Sequence, residues 1–246
     1  MGESLEEVCT VRLHYLGHAA FVLEFGDVVV LADYGAPNAW VESGWDSPIH
    51  DVGELRPDVA TYSHMHHADH FDAARVPAGI PILSAPSETV HVGDVTIEGI
   101  PLHEQDLGVA DTRAHLLTYR GCRVLHLGDC QADIVHVTDG THRAWLKATL
   151  PTDCDVALIP IESQRRFTSQ AVDFVQLLRP RIAVPMHFWS EETLEEFLEF
   201  AGTSGEDLTV EGPKGSQLAV GGSPQTEGVR VVPLRPGPFR GFATAP

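Results

Sequence analysis

The sequence predicts a layered α/β protein, and three observations carry that prediction. Short β-branched and aromatic runs recur along the chain, two later segments show apolar residues at helical spacing, and several strand-like runs end in an ionisable residue. VRLHYL (11–16), AFVLEF (20–25) and DVVVLAD (27–33) read as three strands punctuated by Gly17 and Gly26. Residues 34–57 are rich in turn formers and aromatics, which predicts a loop over the sheet edge. DVATYS (58–63), DVTIEGIPL (94–102), AHLLTYR (114–120), RVLHLGD (123–129), DVALIPI (155–161) and RIAVPMH (181–187) are the further strand candidates. Helices are expected over 169–179, with Thr168 as N-cap, and over 191–201, with Ser190 as N-cap and Glu191 and Glu192 in the first turn. From 202 onward Gly and Pro accumulate, so 202–246 is expected as C-terminal strands and an extended tail of one domain spanning 1–246.

Composition narrows the function classes. A chain of 246 residues with 43% hydrophobic and 21% charged residues has ordinary globular usage and enough length for a sizeable core. Sixteen Lys and Arg against thirty-five Asp and Glu give a formal charge of −19, which repels a phosphate backbone and argues against nucleic acid as partner. The segment MGESLEEVCT has no basic and apolar leader pattern, and no run of eighteen apolar residues occurs, so the expectation is a cytoplasmic protein with no membrane span. Cys9, Cys122, Cys130 and Cys154 lack the C-x-x-C spacing of zinc or redox sites and read as reduced structural thiols. The expected partner is a small-molecule substrate; association into a homo-oligomer is left open.

The chemistry concentrates in SHMHHADHFD (63–72), four histidines and an aspartate within seven positions directly after an apolar strand. In extended backbone, residues i and i+2 point to the same side, so His64 and His66 can clamp one ion, while Asp69 and His70, past a turn, face a neighbouring one. A merely solvent-exposed polar loop is the competing reading.

This cluster resembles the metal-binding signature of the metallo-β-lactamase fold, and further landmarks follow in order: YLGHAAFVLEF (15–25), LADYG (31–35), PLHE (101–104), RVLHLGD (123–129), LIPI (158–161) and VPMHF (184–188). The branch it looks most like contains L-ascorbate-6-phosphate lactonases, N-acyl-phosphatidylethanolamine phospholipase D and related metal-dependent hydrolases. The resemblance implies a four-layer αββα sandwich and two divalent transition-metal ions, Zn first, with Mn or Fe as alternatives. It also implies a ligand set: His64, His66 and His103 for the first ion, Asp69, His70 and His187 for the second, and Asp129 bridging both.

One departure concerns the loop itself. The family has one residue between the second His and the Asp, whereas His67 and Ala68 make it two here. Anchoring the register on Asp69 and His70 instead would put Met65 and His67 in the first two ligand slots; a thioether is a poor ligand in an N/O site, which favours His64 and His66.

His18 and Asp33 occupy positions where the resemblance implies groups that orient ligands or hold the fold. Glu162, Arg165 and Arg166 are candidates for substrate contact or a charged turn, and His115 and His126 read as core or surface histidines.

Two ions roughly 3.5–4 Å apart can share a water, lower its pKa and polarise the bond it attacks, which makes hydrolysis of an ester, lactone, amide or phosphodiester feasible near neutral pH. Asp69 is the candidate catalytic residue, placed to orient that water and move its proton. The same ligands would hold two irons for redox chemistry, and a degenerate, metal-poor binding protein is the rival from another class.

Overall fold

The protein is described by a computed structural model covering residues 10–37, 48–65, 67–84, 89–152, 154–161, 165–205, 207–221 and 228–242, apart from the side chains of 165 and 166. Two sheets face each other. The first contains β1 (Thr10–Gly17), β2 (Ala20–Phe25), β3 (Val28–Ala32), β4 (Val59–Thr61), β5 (Ile82–Leu83) and β13 (Gln217–Gly221), in the order β13-β1-β2-β3-β4-β5. The second contains β6 (Thr89–Val92), β7 (Val95–Leu102), β8 (Thr112–Tyr119), β9 (Cys122–His126), β10 (Val156–Pro160), β11 (Ile182–Met186), β12 (Leu208–Val210) and β14 (Val229–Val231), in the order β12-β14-β11-β10-β9-β8-β7-β6.

Patterning explains the division. β10 and β11 are apolar and buried along their whole length because they pair in parallel within the sheet and are covered on both faces. Helices α1 (Gln131–Val135), α2 (Gly140–Thr149), α3 (Arg165–Leu178) and α4 (Glu191–Thr203) run between or after these strands, with α3 packed on β10, α1 and α4 on α3, and α4 on β12. Among the described residues, the outer face of the six-stranded sheet is instead covered by irregular chain: Ile49, Val52, Val76 and the tail residues Phe239 and Phe242 pack on Leu16, Val22, Leu31 and Tyr62. The tail is pinned there by backbone bonds from Gly237 N to Tyr15 O and from Phe239 N to Asp51 O.

Helix ends show where local rules held. Ser190 caps α4 as expected, its hydroxyl accepting from Thr193 N at 3.3 Å. Thr168 does not cap α3: the helix starts at Arg165, so Thr168 lies inside it and its hydroxyl donates to Glu196 of α4 at 3.5 Å. α2 was not anticipated; Asp139 caps it by accepting from Thr141 N and His142 N. No helix among the described residues is long and apolar enough to cross a membrane.

The topology gathers strand ends. β9, β10 and β11 are mutually parallel, and β7 runs the same way because two antiparallel pairings separate it from β9. Their C-terminal ends therefore open on one edge, where the residues after β4 of the other sheet also arrive.

Candidate metal centre

The segment after β4 is tied down before it reaches its histidines. Asp33, just past β3, accepts from Ser63 N at 2.6 Å and from the Ser63 hydroxyl at 2.7 Å. Ala36 N donates to Ala68 O at 2.6 Å, and a Cβ added to Gly35 would lie 2.0 Å from Asp69 O, so only glycine lets the two loops approach this closely. On the opposite wall, Gly128 (φ 60°) sits where a Cβ would meet the Ser63 side chain at 2.2 Å.

The loop so held delivers Asp69 and His70 to a buried cluster with His18, from the β1–β2 turn, and His187, just past β11. One ligand-type atom from each of these four residues lies within 4.8 Å of the others. His70 Nε2 is 3.1 Å from both His18 Nε2 and His187 Nε2, and His18 Nε2 is 2.9 Å from Asp69 Oδ2. His70 Nδ1 donates to Asp33 Oδ2 at 2.9 Å, so that once Nε2 loses its proton the lone pair there is directed at the cluster. Asp69 Oδ1 is buried without a hydrogen-bond partner among the described residues, with His67 Nδ1 4.0 Å away. Converging imidazole nitrogens beside an unsatisfied carboxylate oxygen are what a divalent cation of N/O preference takes up, so these residues fit a metal ion.

Charge supports the fit. Burial is the largest influence on Asp33 and would push its carboxyl up, but the hydrogen bond and charge of His70, His126 and the Ser63 hydroxyl hold it well below the usual carboxylate range. Asp69 is likewise held low against its burial by His18, His70 and His187. Burial and the neighbouring His187 push His18 far down, so that ring is neutral and can serve as a ligand.

Asp129, just past β9, stands between two groups of ligands. Its Oδ2 is 3.6 Å from His187 Nε2 and 4.0 Å from His70 Nε2, and Asp129, His64 and His70 form a further close-set trio. On the far side, His64 Nδ1 is 3.7 Å from Glu104 Oε2, and Glu104 Oε1 is 3.6 Å from His67 Nε2. Burial and then the negative charge of Asp129 push the Glu104 carboxyl up to about 7.

Of the seven ligands expected, His64, Asp69, His70, Asp129 and His187 come together. His66 lies outside the described residues. His103 follows β7 at the same edge but is not part of the close-set groups; its ring turns to Asp133 of α1, with Nδ1 at 3.0 Å from Oδ1. Met65 points outward, 46% exposed, and so does not take the ligand slot that the shifted register would give it. His67 is half-buried, beside His64 and Glu104. Glu162 lies outside the described residues, as do the side chains of Arg165 and Arg166; His115 and His126 are core residues. Sequence reasoning missed Glu104, although it stands in PLHE beside His103, and assigned His18 no direct place among the ligands.

The comparisons agree with this architecture. The family model described as "Beta-lactamase superfamily domain" matches residues 12–187. The "UPF0173 metal-dependent hydrolase" of Pyrobaculum islandicum is 28% identical over 198 residues, covering 72% of this chain and 84% of that protein. A protein of the same description from Archaeoglobus fulgidus is 25% identical over 239 residues, covering 81% and 94%. Among solved structures, one from Thermotoga maritima, provisionally described as a Zn-dependent hydrolase of the metallo-beta-lactamase superfamily, aligns with a TM-score of 0.63 at 22% identity over 92% of this chain and 100% of that one. Igni18, described as a novel metallo hydrolase from Ignicoccus hospitalis, aligns with a TM-score of 0.53 at 20% identity over 80% and 92%. With two sheets closing on a histidine–aspartate cluster and a family match across most of its length, the chain belongs to the β-lactamase superfamily and has the metallo-β-lactamase fold.

Proposed function

We propose that this protein is a metal-dependent hydrolase that uses two divalent ions to cleave an ester, lactone, amide or phosphodiester of a small molecule. The observation that carries the reading is the meeting of His18, His70 and His187 Nε2 with Asp69, in which Asp33 fixes the proton of His70 on the outward nitrogen. The relatives described as metal-dependent hydrolases support it.

His70, His187 and Asp69, with His18 beside them, would hold one ion, and His64 with His66 and His103 the other. Asp129, close to His64 as well as to His70 and His187, would join them. Zn suits this imidazole-rich set best, with Mn or Fe as substitutes. When bound, such a pair lowers the pKa of a shared water and polarises the scissile bond. Asp69 keeps its charge against its burial because His18, His70 and His187 stabilise it, so it would accept a hydrogen bond from a water held at the site and orient it. Tyr15 donates its hydroxyl to His18 O at 2.9 Å, and His187 N donates to the same oxygen at 2.7 Å, which locks two of the ligand loops together.

The test is elemental analysis of protein purified without added metal, followed by assays on ester, lactone, amide and phosphodiester panels. About two transition-metal ions per chain are expected, with one lost together with activity in His187→Ala. A metal-free but fully folded and active protein, or an unimpaired His187→Ala variant, would refute the proposal. Abundant iron with a visible absorption band and oxygen consumption would establish redox chemistry in its place.

A further inference from the structure

Asp133 lies outside the ligand cluster, yet no other carboxylate among the described residues is tied so closely to His103. It is fully buried in α1, the helix that begins two residues after Asp129. Its Oδ2 accepts from His103 N at 2.7 Å, and its Oδ1 accepts from His103 Nδ1 at 3.0 Å and from His142 Nε2 at 2.9 Å. The backbone adds a further tie, Ala132 N donating to Glu104 O at 2.9 Å. Trp145 of α2 covers the pair, its ring 5.0 Å from that of His103 and 5.2 Å from that of His142, with which it stacks.

We propose that Asp133 is a positioning residue for metal binding: it clamps His103 by backbone and ring at once and keeps the proton on Nδ1, so that Nε2 is the nitrogen offered to the first ion. The inference rests on the two-ion reading above. Geometry supports it by analogy within the same molecule, because Asp33 makes the matching contact to His70 Nδ1 on the other side of the site. In each case a buried carboxylate fixes the tautomer of an imidazole, the arrangement by which acids behind metal-binding histidines raise their basicity and set their aim.

The informative variant is Asp133→Asn, which keeps shape but replaces one acceptor by an NH₂ group. If the NH₂ faces His103 N, two donors oppose each other. If it faces the two imidazoles, His103 must accept at Nδ1, and its proton moves to Nε2, where it blocks coordination. His142→Ala serves as the control, since it removes a partner of Asp133 without touching the bonds to His103.

Two readouts apply to the full chain. In the metal-free protein, nitrogen-15 spectra of the histidine rings should show His103 as the Nδ1–H tautomer. In Zn²⁺ titrations against a chromophoric chelator, Asp133→Asn should weaken one of the two ions about 10–100-fold and leave the other unchanged, while His142→Ala stays near wild type. A His103 ring found as Nε2–H in the wild type, or an Asp133→Asn variant that binds both ions with wild-type affinity, overturns the assignment, and the first of these does so even if the variant does not fold. A wild-type protein that binds no ion at all overturns the two-ion reading itself, and this inference with it.

Discussion

Replacing Asp33 by Asn isolates what a single buried acid does for this site. Asp33 is 1% exposed and has φ 43°, a left-handed conformation that Asn tolerates well, so the substitution adds no backbone strain. Three donors point at the carboxylate: Ser63 N on Oδ1, and the Ser63 hydroxyl and His70 Nδ1 on Oδ2. The amide oxygen must stay opposite Ser63 N, because the other orientation sets two N–H donors 2.6 Å apart. The NH₂ group then faces His70, whose Nδ1 has to become an acceptor, and the proton moves to Nε2, the atom 3.1 Å from His18 and His187. Losing buried hydrogen bonds to a charged acceptor of this kind costs about 1.5–3 kcal/mol. Urea unfolding in the presence of chelator measures that loss in the metal-free protein, and a competition titration should show metal affinity reduced about 10–100-fold. A loss of stability under about 1 kcal/mol, in the range of an ordinary neutral hydrogen bond, together with unchanged metal affinity, would refute the reasoning.

Three other outcomes follow from the same geometry. His115 is fully buried, and burial pushes its ring down to about 3; the unfolded chain therefore takes up a proton that the folded one refuses, so stability present above pH ~6.5 declines as pH falls toward 3, by about 1.4 kcal/mol per unit. Urea midpoints measured from pH 7 to 4 should fall less steeply in His115→Leu, and an identical slope would exclude His115 as the source. Gly35→Ala places a methyl 2.0 Å from Asp69 O, and the backbone shift needed to relieve it should cost at least about 1–3 kcal/mol and lower metal content; unchanged thermal unfolding and metal stoichiometry would contradict this. Met65→Leu should leave metal content as it is, because that side chain faces outward, whereas His64→Ala should deplete one ion; if His67→Ala depletes that ion and His64→Ala does not, the loop register is the shifted one.

The strands were legible because burial on one or two faces leaves a pattern in the sequence. VRLHYL, AFVLEF and DVTIEGIPL coincide with β1, β2 and β7 to within a residue or so. Elements that rely on partners rather than on their own pattern were not legible. β12 and β14 fall within 202–246, where C-terminal strands were expected, but their positions could not be read: each has three residues, and their pairing comes from the parallel alignment of Leu208 to Val210 with Val229 to Val231, partners twenty-one residues apart that no local periodicity announces. α2 turns a mostly polar surface outward and buries His142 and Leu146, so its apolar stripe is too thin to read, and the capping Asp139 before Gly140 was the signal that could have marked its start.

The site divides along the same line. Spacing placed His64, Asp69 and His70 at the end of β4, and the resemblance supplied Asp129 and His187, all of which the fold brings together. What spacing could not convey is conformation. His18, Asp33 and His187 are three of the five non-glycine residues with positive φ among those described. Each such residue is strained by about 1–3 kcal/mol unless its surroundings hold it. Here the surroundings do so by joining the residues to one another: His187 N bonds to His18 O, and Asp33 grips Ser63 and His70. The β1–β2 register also shifts between Tyr15 and Gly17, which re-aims the turn carrying His18 into the cluster, a placement that a regular hairpin would not give. The candidate ligands are thus aimed by strained turns and buried acids contributed from separate strands. A substitution at Asp33 or at the His18 turn should therefore disturb the centre as much as loss of a histidine in the dense cluster that first draws the eye.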